Sequence, residues 1–586
     1  MTTAAPTPPP KQTIKIDGRE IPFEKGDTII RAAHRAGIDI PHYCWHPGLS
    51  VAANCRMCLV EVLPPPGRPA MQLDILRWDP QKGEYVPQKK PKLLPACQQD
   101  CAPGMEVLSE SSKNVDEARG AVQELLLLNH PVDCPICDQA GECRLQDYWL
   151  EHQRKGKRMH QEPVHKPKAV VFGPTIVYDA ERCIVCTRCV RVSAELAKDP
   201  VLSIRERGNL GEVTVAPGRE LDHDYTLMTE HVCPVGALTS ADFRFKARVW
   251  FLRNARTICQ GCATGCNAHL DYDPRNNTPY RHRPRDNEQV NKYWMCDEGM
   301  LSYKRAVEDR QTTALVGGED ASIPDALTAA KEQLKGLKDD PERVAVILSA
   351  QHSVEDNFAL MTLARTYVGA TDFFVSGRPL GRGDAILMNE DKNPNTRGVI
   401  ALAASTASSD KPLSEAQGSG SPSASAAPNP VGAPRPMADL LKGIQSGKYA
   451  YAIGLGADVE VDAKEAKQTL SRLRGFVVIA SHEGPLTQAA HVVLPACAWA
   501  ETEGTYVNAK GLAQVSEKAL RPLGDAQPGW RLVAELGKTL GFATAWKKLA
   551  DLRASVPADV LPKRPGALES TENTAAPAAA PAQVNA

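Results

Sequence analysis

The chain has no excess of either charge, no long apolar run and no nucleotide loop, and each absence excludes something. Its 69 Lys and Arg stand against 70 Asp and Glu, a formal net charge of -1, whereas nucleic-acid binders carry a basic excess. No uncharged apolar stretch reaches the ~20 residues that a spanning helix needs, so no direct membrane span is expected. The opening MTTAAPTPPPKQTIKIDGRE lacks a hydrophobic signal core and a twin-arginine pair, which predicts a cytoplasmic chain that meets any membrane through partners. There is no Walker loop and no full GxGxxG before a helix. Gly454 and Gly456 in YAIGLGADVEV read as a tight strand-to-helix turn, so nucleotide and flavin binding are expected on other chains.

Cysteine is what the chain has in quantity. The 586 residues suit roughly four domains at ~150 residues each, and 42% hydrophobic with 24% charged residues is ordinary for a globular protein. Of 17 cysteines, all but Cys497 lie between Cys44 and Cys296. Clustered cysteines in a large cytosolic protein point to metal or redox sites, not disulfides.

Along the chain, residues 1–11 read as a Pro-rich disordered lead. TIKIDGREIPF predicts a hairpin about Asp17-Gly18. GDTIIRAAHRAGI predicts a helix with Asp27 as N-cap, Gly37 as C-cap, and Ile30, Ala33 and Ala36 on one stripe. Hairpin, helix and cysteine loop together predict a small β-grasp ferredoxin domain. The long segment between Cys58 and Cys97 reads as turn and hairpin insertions, SSKNVDEARGAVQELLLLNH as a helix ending at His130, and the basic run 152–168 as a solvated or partner-facing surface. From about residue 311, helical and strand-like segments alternate, which predicts α/β layering. A flexible linker over 404–436 interrupts it, and a disordered tail over 551–586 ends it.

The cysteines sort into four ligand sets. Cys44, Cys55, Cys58 and Cys97 have the spacing of a [2Fe–2S] loop; Cys101 rivals Cys97 but sits in what reads as a loop continuation, DCAPGM. His42 and His46 flank Cys44 as surface or supporting residues, not ligands. Cys183, Cys186 and Cys189, with the distant Cys233-Pro234, match the bacterial ferredoxin arrangement; Ser193 stands where a second cluster would need a cysteine, so one [4Fe–4S] cluster is expected. Cys259, Cys262, Cys266 and Cys296 form a further CxxCxxxC…C set, for which a zinc knuckle is the plainer alternative. The remaining three, Cys134, Cys137 and Cys143, lack a fourth ligand. Sixteen ligands are needed, and without Cys101 and Cys497 only fifteen cysteines remain. His130, four positions before Cys134, completes HxxxCxxCxxxxxC. As a helix-end histidine it would also be favoured by the helix dipole, but the spacing outweighs that. An imidazole in place of a thiolate removes one negative charge and so shifts the cluster's potential and proton coupling.

This ordered series resembles the G-type, or 75-kDa-type, iron–sulfur subunits of bacterial NADH-quinone oxidoreductase, which belong to the peripheral arm of respiratory complex I. The likeness covers about residues 12–306 and resumes in HVVLPACAWAETEGTYVNAKGLAQ (491–514). It implies a multidomain α+β chain. Its parts are a β-grasp [2Fe–2S] domain (12–110), a histidine-and-cysteine-ligated [4Fe–4S] domain (111–170), a ferredoxin-like [4Fe–4S] domain (171–250), a further [4Fe–4S] domain of the molybdopterin-enzyme type (251–306) and a shortened molybdopterin-oxidoreductase-like α/β domain (307–550). The resemblance carries the same four ligand sets, one [2Fe–2S] and three [4Fe–4S] clusters. It implies an electron-transfer subunit of a proton-translocating enzyme with no complete active site of its own. Expected partners are the FMN- and NADH-binding subunit, a thioredoxin-like [2Fe–2S] subunit, a subunit with two ferredoxin-type [4Fe–4S] clusters and other peripheral-arm subunits, on the cytoplasmic side of the bacterial inner membrane. Glu298, in CDEGM, stands where molybdopterin enzymes carry the lysine of a Lys-Gly pair; with the short domain, this predicts no bound molybdopterin. The alternatives are a catalytic or accessory subunit of a formate dehydrogenase, or of an NAD-linked hydrogenase complex. A catalytic hydrogenase subunit needs further downstream cysteines that are absent, and Cys497 reads as a buried small residue.

Overall fold

The computed structural model describes residues 12–65, 67–152, 156, 158–407 and 434–561. The lead 1–11, linker residues 408–433 and tail residues 562–586 lie outside the described residues. The chain divides into two compact units, one reaching Trp250 and the other running over Phe251–Pro565.

The first unit opens with β1 (Gln12–Ile16) and β2 (Arg19–Phe23), an antiparallel hairpin. Its turn places Asp17 at φ 46° and Gly18 at φ 80°, the paired left-handed residues that match hairpin twist. Helix α1 (Ile29–Arg35) follows, then β3 (Leu59–Leu63), the hairpin β4 (Gln72–Asp79) and β5 (Glu84–Pro91), β6 (Leu94–Pro95) and β7 (Glu106–Leu108). The main sheet runs β2-β1-β7-β3-β6, while β4 and β5 pair as a separate ribbon in the expected insertion. Ile14, Ile16, Ile30, Ala33 and Val107 form the core between sheet and α1. One expectation fails by a residue: Thr28, not Asp27, is the N-cap of α1. The Asp27 carboxylate turns back to accept from Glu24 N at 2.6 Å and to pair with Arg35, so it is not free to cap. The C-cap too differs by a residue: it is Ala36, one earlier than expected, and Gly37 follows it at φ 69°.

Helix α2 (Lys113–Leu127), capped by Ser112 accepting from Val115 N, leads to α3 (Arg144–His152). Then come β8 (Val170–Val171), β9 (Ile176–Tyr178), α4 (Arg188–Arg191), the hairpin β10 (Leu202–Arg205) and β11 (Glu212–Val215), α5 (Thr226–His231) and β12 (Leu238–Ser240). β8, β9 and β12 form a three-stranded sheet.

The second unit begins with a meander of β13 (Arg253–Ile258), β14 (Asn267–Asp273) and β15 (Thr278–Pro284), followed by α6 (Asp297–Leu301). The elements β16 (Ala314–Val316), β17 (Glu319–Ala321), α7 (Ile323–Gln333), β18 (Val344–Ser349), α8 (Val354–Thr362), β19 (Asp372–Ser376), α9 (Thr396–Ala407) and β20 (Arg435–Pro436) come next. They are followed by α10 (Met437–Gln445), β21 (Tyr451–Leu455), α11 (Ala463–Leu470), β22 (Gly475–Ala480), α12 (Pro485–Ala489) and β23 (Val492–Pro495). Last are the hairpin β24 (Gly504–Val507) and β25 (Ala513–Ser516), α13 (Gly529–Leu540) and α14 (Leu549–Ser555).

β20, β19, β18, β21, β22 and β23 lie side by side and parallel. Within these six the chain starts in the middle, builds outward one way, then returns to build the other way, the doubly wound order. β16 and β17 add an antiparallel edge beside β23. Alternate strand residues feed two cores: Val346, Ile453 and Val477 meet α8 and α13, while Ile347, Ala452 and Phe476 meet α10 and α11. With both faces covered, every residue from Val344 to Leu348 is fully buried.

The meander is not a separate body, because Ile258 and Leu270 share a core with Trp499, Tyr506 and Leu520. The expected tail also begins too early at 551: α14 runs through that point, and Leu552, Val556 and Val560 are buried in the sheet's core. Helix α9 likewise occupies the first residues of the expected linker, up to Ala407. Among the described residues, no helix is long and apolar enough to cross a membrane.

Candidate metal centres

The first set lies around the start of β3. Cys44 and Cys55 hydrogen-bond to each other, as do Cys58 and Cys97, and the second pair feels charge from the first. The bond from Cys55 is the main cause that pulls the Cys44 thiol down to about 5, and it pushes Cys55 up. Cys97 is fully buried in this group. Cys101 is instead raised to about 12 by burial and by the neighbouring Asp27 and Asp100. Ala53 and Arg56 hold φ of 51° and 59° in the loop between Cys44 and Cys58, a conformation that non-glycine residues adopt only where surroundings impose it. Of the two roles expected for His42, surface or supporting, the structure excludes the surface: the residue is buried, and its Nδ1 meets Ile40 O at 2.7 Å.

His130, Cys134, Cys137 and Cys143 line one cavity, together with Asp133, Arg182 and Gly236. α2 delivers His130 from one side, and Cys143 sits directly before α3. Burial, with Arg182 second, brings the His130 ring down to about 4. The imidazole is therefore neutral at physiological pH, with a lone pair free for a metal. Burial pushes the Cys143 thiol up to about 12 and raises Cys137; a cationic cluster core would offset that cost by binding the thiolates.

Cys183, Cys186, Cys189 and Cys233 line a second cavity with Tyr178. Val185 and Thr187, at φ 51° and 67°, fold the short CxxCxxC loop inward, and Val185 N donates to Cys183 Sγ at 3.4 Å. The Tyr178 hydroxyl, which accepts from Val213 N at 3.0 Å, also bonds Cys183. Ser193 is buried in a turn of π-helix and donates to Asp199 O, a structural role.

Cys259, Cys262, Cys266 and Cys296 are all buried, and burial, followed by the neighbouring thiols, raises Cys259, Cys266 and Cys296. Cys259 directly follows β13, Cys266 precedes β14, and Cys296 caps α6, its Sγ accepting from Gly299 N at 3.3 Å. Gly261 N donates to Cys259 Sγ at 3.3 Å. Backbone amides aimed at sulfur are the partners that thiolates around a cluster use. Glu298 is ion-paired to Lys392 at 2.8 Å. Among the described residues, no three His, Cys, Asp or Glu side chains converge on a single ion. The His130 and Cys183 donor sets instead line cavities, which suits a polynuclear centre with sulfur-rich ligation.

Sequence reasoning missed the residues that tie these sets together. Arg188 donates to Trp45 O and to Val232 O, the latter at 3.1 Å, and Arg191 donates to Cys44 O and Ser50 O. Asn54 Nδ2 donates to Val185 O at 3.2 Å. These contacts clamp the first set's loop onto the third's. On the other side, Arg182 Nη2 reaches Asp133 at 2.8 Å, and Lys168 bonds both Asp133 and Glu181 at 2.8 Å. A Cβ on Gly236 would lie 2.2 Å from Cys137 Sγ. The third set thus touches the first and the second. The signal for this was the three arginines threaded through ERCIVCTRCVRVS.

Family models match in order along the chain. A 2Fe-2S iron-sulfur cluster binding domain matches residues 11–112, and an NADH-ubiquinone oxidoreductase-G iron-sulfur binding region matches 119–158. The ferredoxin-like domain of NADH-quinone oxidoreductase subunit 3 matches 173–239, and molybdopterin oxidoreductase matches 378–539. The G-type subunit of NADH-quinone oxidoreductase from Streptomyces coelicolor is 36% identical over 63% of this chain and 41% of its own length. Its counterpart from Rickettsia felis is 28% identical over 92% of this chain and 89% of its own. The potato mitochondrial NADH dehydrogenase [ubiquinone] iron-sulfur protein 1 is 28% identical over 94% of this chain and 83% of its own. The match spans less than half the length of the Streptomyces relative and of its Mycobacterium bovis counterpart, where it covers 45%. Cluster-binding models and G-type relatives thus agree along the chain, which is similar to the G-type iron–sulfur subunits of NADH-quinone oxidoreductase.

Proposed function

We propose that this chain relays electrons within the peripheral arm of an NADH-quinone oxidoreductase, from the FMN of a partner subunit toward quinone. The ligands are Cys44, Cys55, Cys58 and Cys97 for a [2Fe–2S] cluster. For three [4Fe–4S] clusters they are His130, Cys134, Cys137 and Cys143; Cys183, Cys186, Cys189 and Cys233; and Cys259, Cys262, Cys266 and Cys296. The first sheet with α1 is a β-grasp domain, the third set sits in a ferredoxin-like domain, and the doubly wound unit is a shortened molybdopterin-oxidoreductase-like domain. When bound, the clusters supply reversible one-electron chemistry. The protein's own residues fix spacing, exclude water and donate hydrogen bonds to the sulfurs. Partners are the FMN- and NADH-binding subunit, a thioredoxin-like [2Fe–2S] subunit and a subunit with two ferredoxin-type [4Fe–4S] clusters, at the cytoplasmic side of the bacterial inner membrane.

One observation carries this reading: the third set is braced to the first by Arg188 and Arg191 and to the second by Arg182 and Gly236. A relay needs such an unbroken series, and here it runs first, third, second. The test is anaerobic purification with metal analysis and Mössbauer spectroscopy. About fourteen irons per chain, as one binuclear and three tetranuclear centres, is the expected result. A colourless zinc protein would overturn the proposal, and stoichiometric molybdenum would replace it with a formate dehydrogenase-type catalytic subunit.

A further inference from the structure

The doubly wound unit contains a cavity of about 40 Å³ at the carboxyl ends of its strands. His352 reaches it from the segment after β18, Arg378 from that after β19, and Trp499 from that after β23, with Arg305 and Asp356 beside them. The strand order reverses between β18 and β21, the place where open α/β sheets leave a ligand crevice. The cavity has room for roughly three waters.

Three buried nitrogens in this wall have no hydrogen-bond partner among the described residues: Arg378 Nε, Trp499 Nε1 and His352 Nε2. His352 and Trp499 are 7% and 8% exposed. Buried polar groups are nearly always satisfied, so three such atoms on residues that line one cavity call for a polar ligand. The arginine and indole nitrogens can only donate, which calls for an acceptor. His352 Nδ1 faces the Asp356 carboxylate at 3.3 Å; in the tautomer that donates to this carboxylate, Nε2 is the accepting nitrogen. Asp356 is itself engaged, since its Oδ1 accepts from Trp530 N at 2.7 Å. Asp458 lies 3.6 Å from Arg305 and also accepts from Gln351. His482 is held neutral, down to about 4, chiefly by burial. Two guanidinium groups thus outweigh the one carboxylate in the wall.

We propose that this cavity binds a hydrogenphosphate-like group, whose oxygens accept from Arg378 and Trp499 and whose hydroxyl donates to His352. The same chemistry is offered by free inorganic phosphate and by the terminal phosphoryl of a nucleotide that extends out of the cavity mouth. The inference is independent of the electron-relay reading and does not require any cluster to be loaded.

The test is calorimetric titration of the full chain, purified anaerobically in a phosphate-free buffer, with inorganic phosphate, ADP and sulfate in separate arms. Saturable binding at one site per chain is expected, weaker for sulfate, which brings no proton for His352 Nε2. Trp499→Phe keeps the ring and removes the donor; it should weaken binding roughly tenfold or more, the worth of a hydrogen bond to a charged group. Arg378→Lys should weaken it as well, with iron content unchanged in the Trp499→Phe protein. Tighter binding of ADP would identify the nucleotide as the source, and binding of phosphate alone would identify the free anion. Absence of saturable binding in both arms, or affinity unchanged in both variants, would overturn the proposal.

Discussion

At the residue scale, His130 differs from the other fifteen proposed ligands in charge as well as in chemistry. His130→Cys should preserve four ligands and move one EPR centre to lower potential, because the added thiolate opposes reduction. His130→Ala should abolish that signal alone, and a full set of unchanged signals would refute the assignment. Tyr178→Phe removes the hydroxyl that bonds Cys183. That bond favours the more negative, reduced state. Its loss should lower the third centre's midpoint by about 40 mV, taking ~1 kcal/mol for the bond and ~59 mV per tenfold for one electron; a redox titration followed by EPR checks it. Gly236→Ala would press a methyl to 2.2 Å from Cys137 Sγ. It should therefore disturb the histidine-ligated centre, although residue 236 lies beside Cys233 in sequence. His130 was legible because a count of thiols exposes a missing ligand. Gly236 was not, because its contact joins segments about a hundred residues apart.

At the scale of elements, the hairpin about Asp17-Gly18, α2 and the α/β alternation beyond residue 311 were legible from turn chemistry and periodicity. The cap of α1 was not, because two tertiary and local partners, Arg35 and Glu24 N, compete for the Asp27 carboxylate. The β14–β15 pair contains a second such feature. Asp271, 3% exposed, lies 2.7 Å from both Arg281 and Arg283. Burial alone would raise its pKa, but the two arginines together hold it well below the usual carboxylate range. A depressed folded-state pKa gives stability that is present above the unfolded value of ~3.9 and lost as pH falls below it. Asp271→Asn should therefore cost about 3 kcal/mol at pH 7, and the difference from the native chain should shrink below about pH 4. Circular-dichroism melts of both proteins at the two pH values test the sign.

At the scale of the whole molecule, the first unit's order of contact is first, third, second set, which is not the order along the chain. With the flavin-bearing partner and NADH, a chain whose third centre is lost through Cys186→Ser should still reduce the first centre and fail to reduce the second. Freeze-quench EPR would read this directly, and prompt reduction of the second centre would exclude the proposed route. The proposed ligands can be read from the residues alone, since the close spacings of CxxC and HxxxC are fixed by the short reach of the backbone. Which sets touch emerges only in the folded chain. Arg191 meets Cys44 across 147 residues, and Arg188 meets Trp45 across 143. Folding likewise sets where the parallel strands leave a cavity with unmatched nitrogens. The arginines in ERCIVCTRCVRVS mark donors, but which distant carbonyls they meet is chosen by packing of surfaces far apart in the chain.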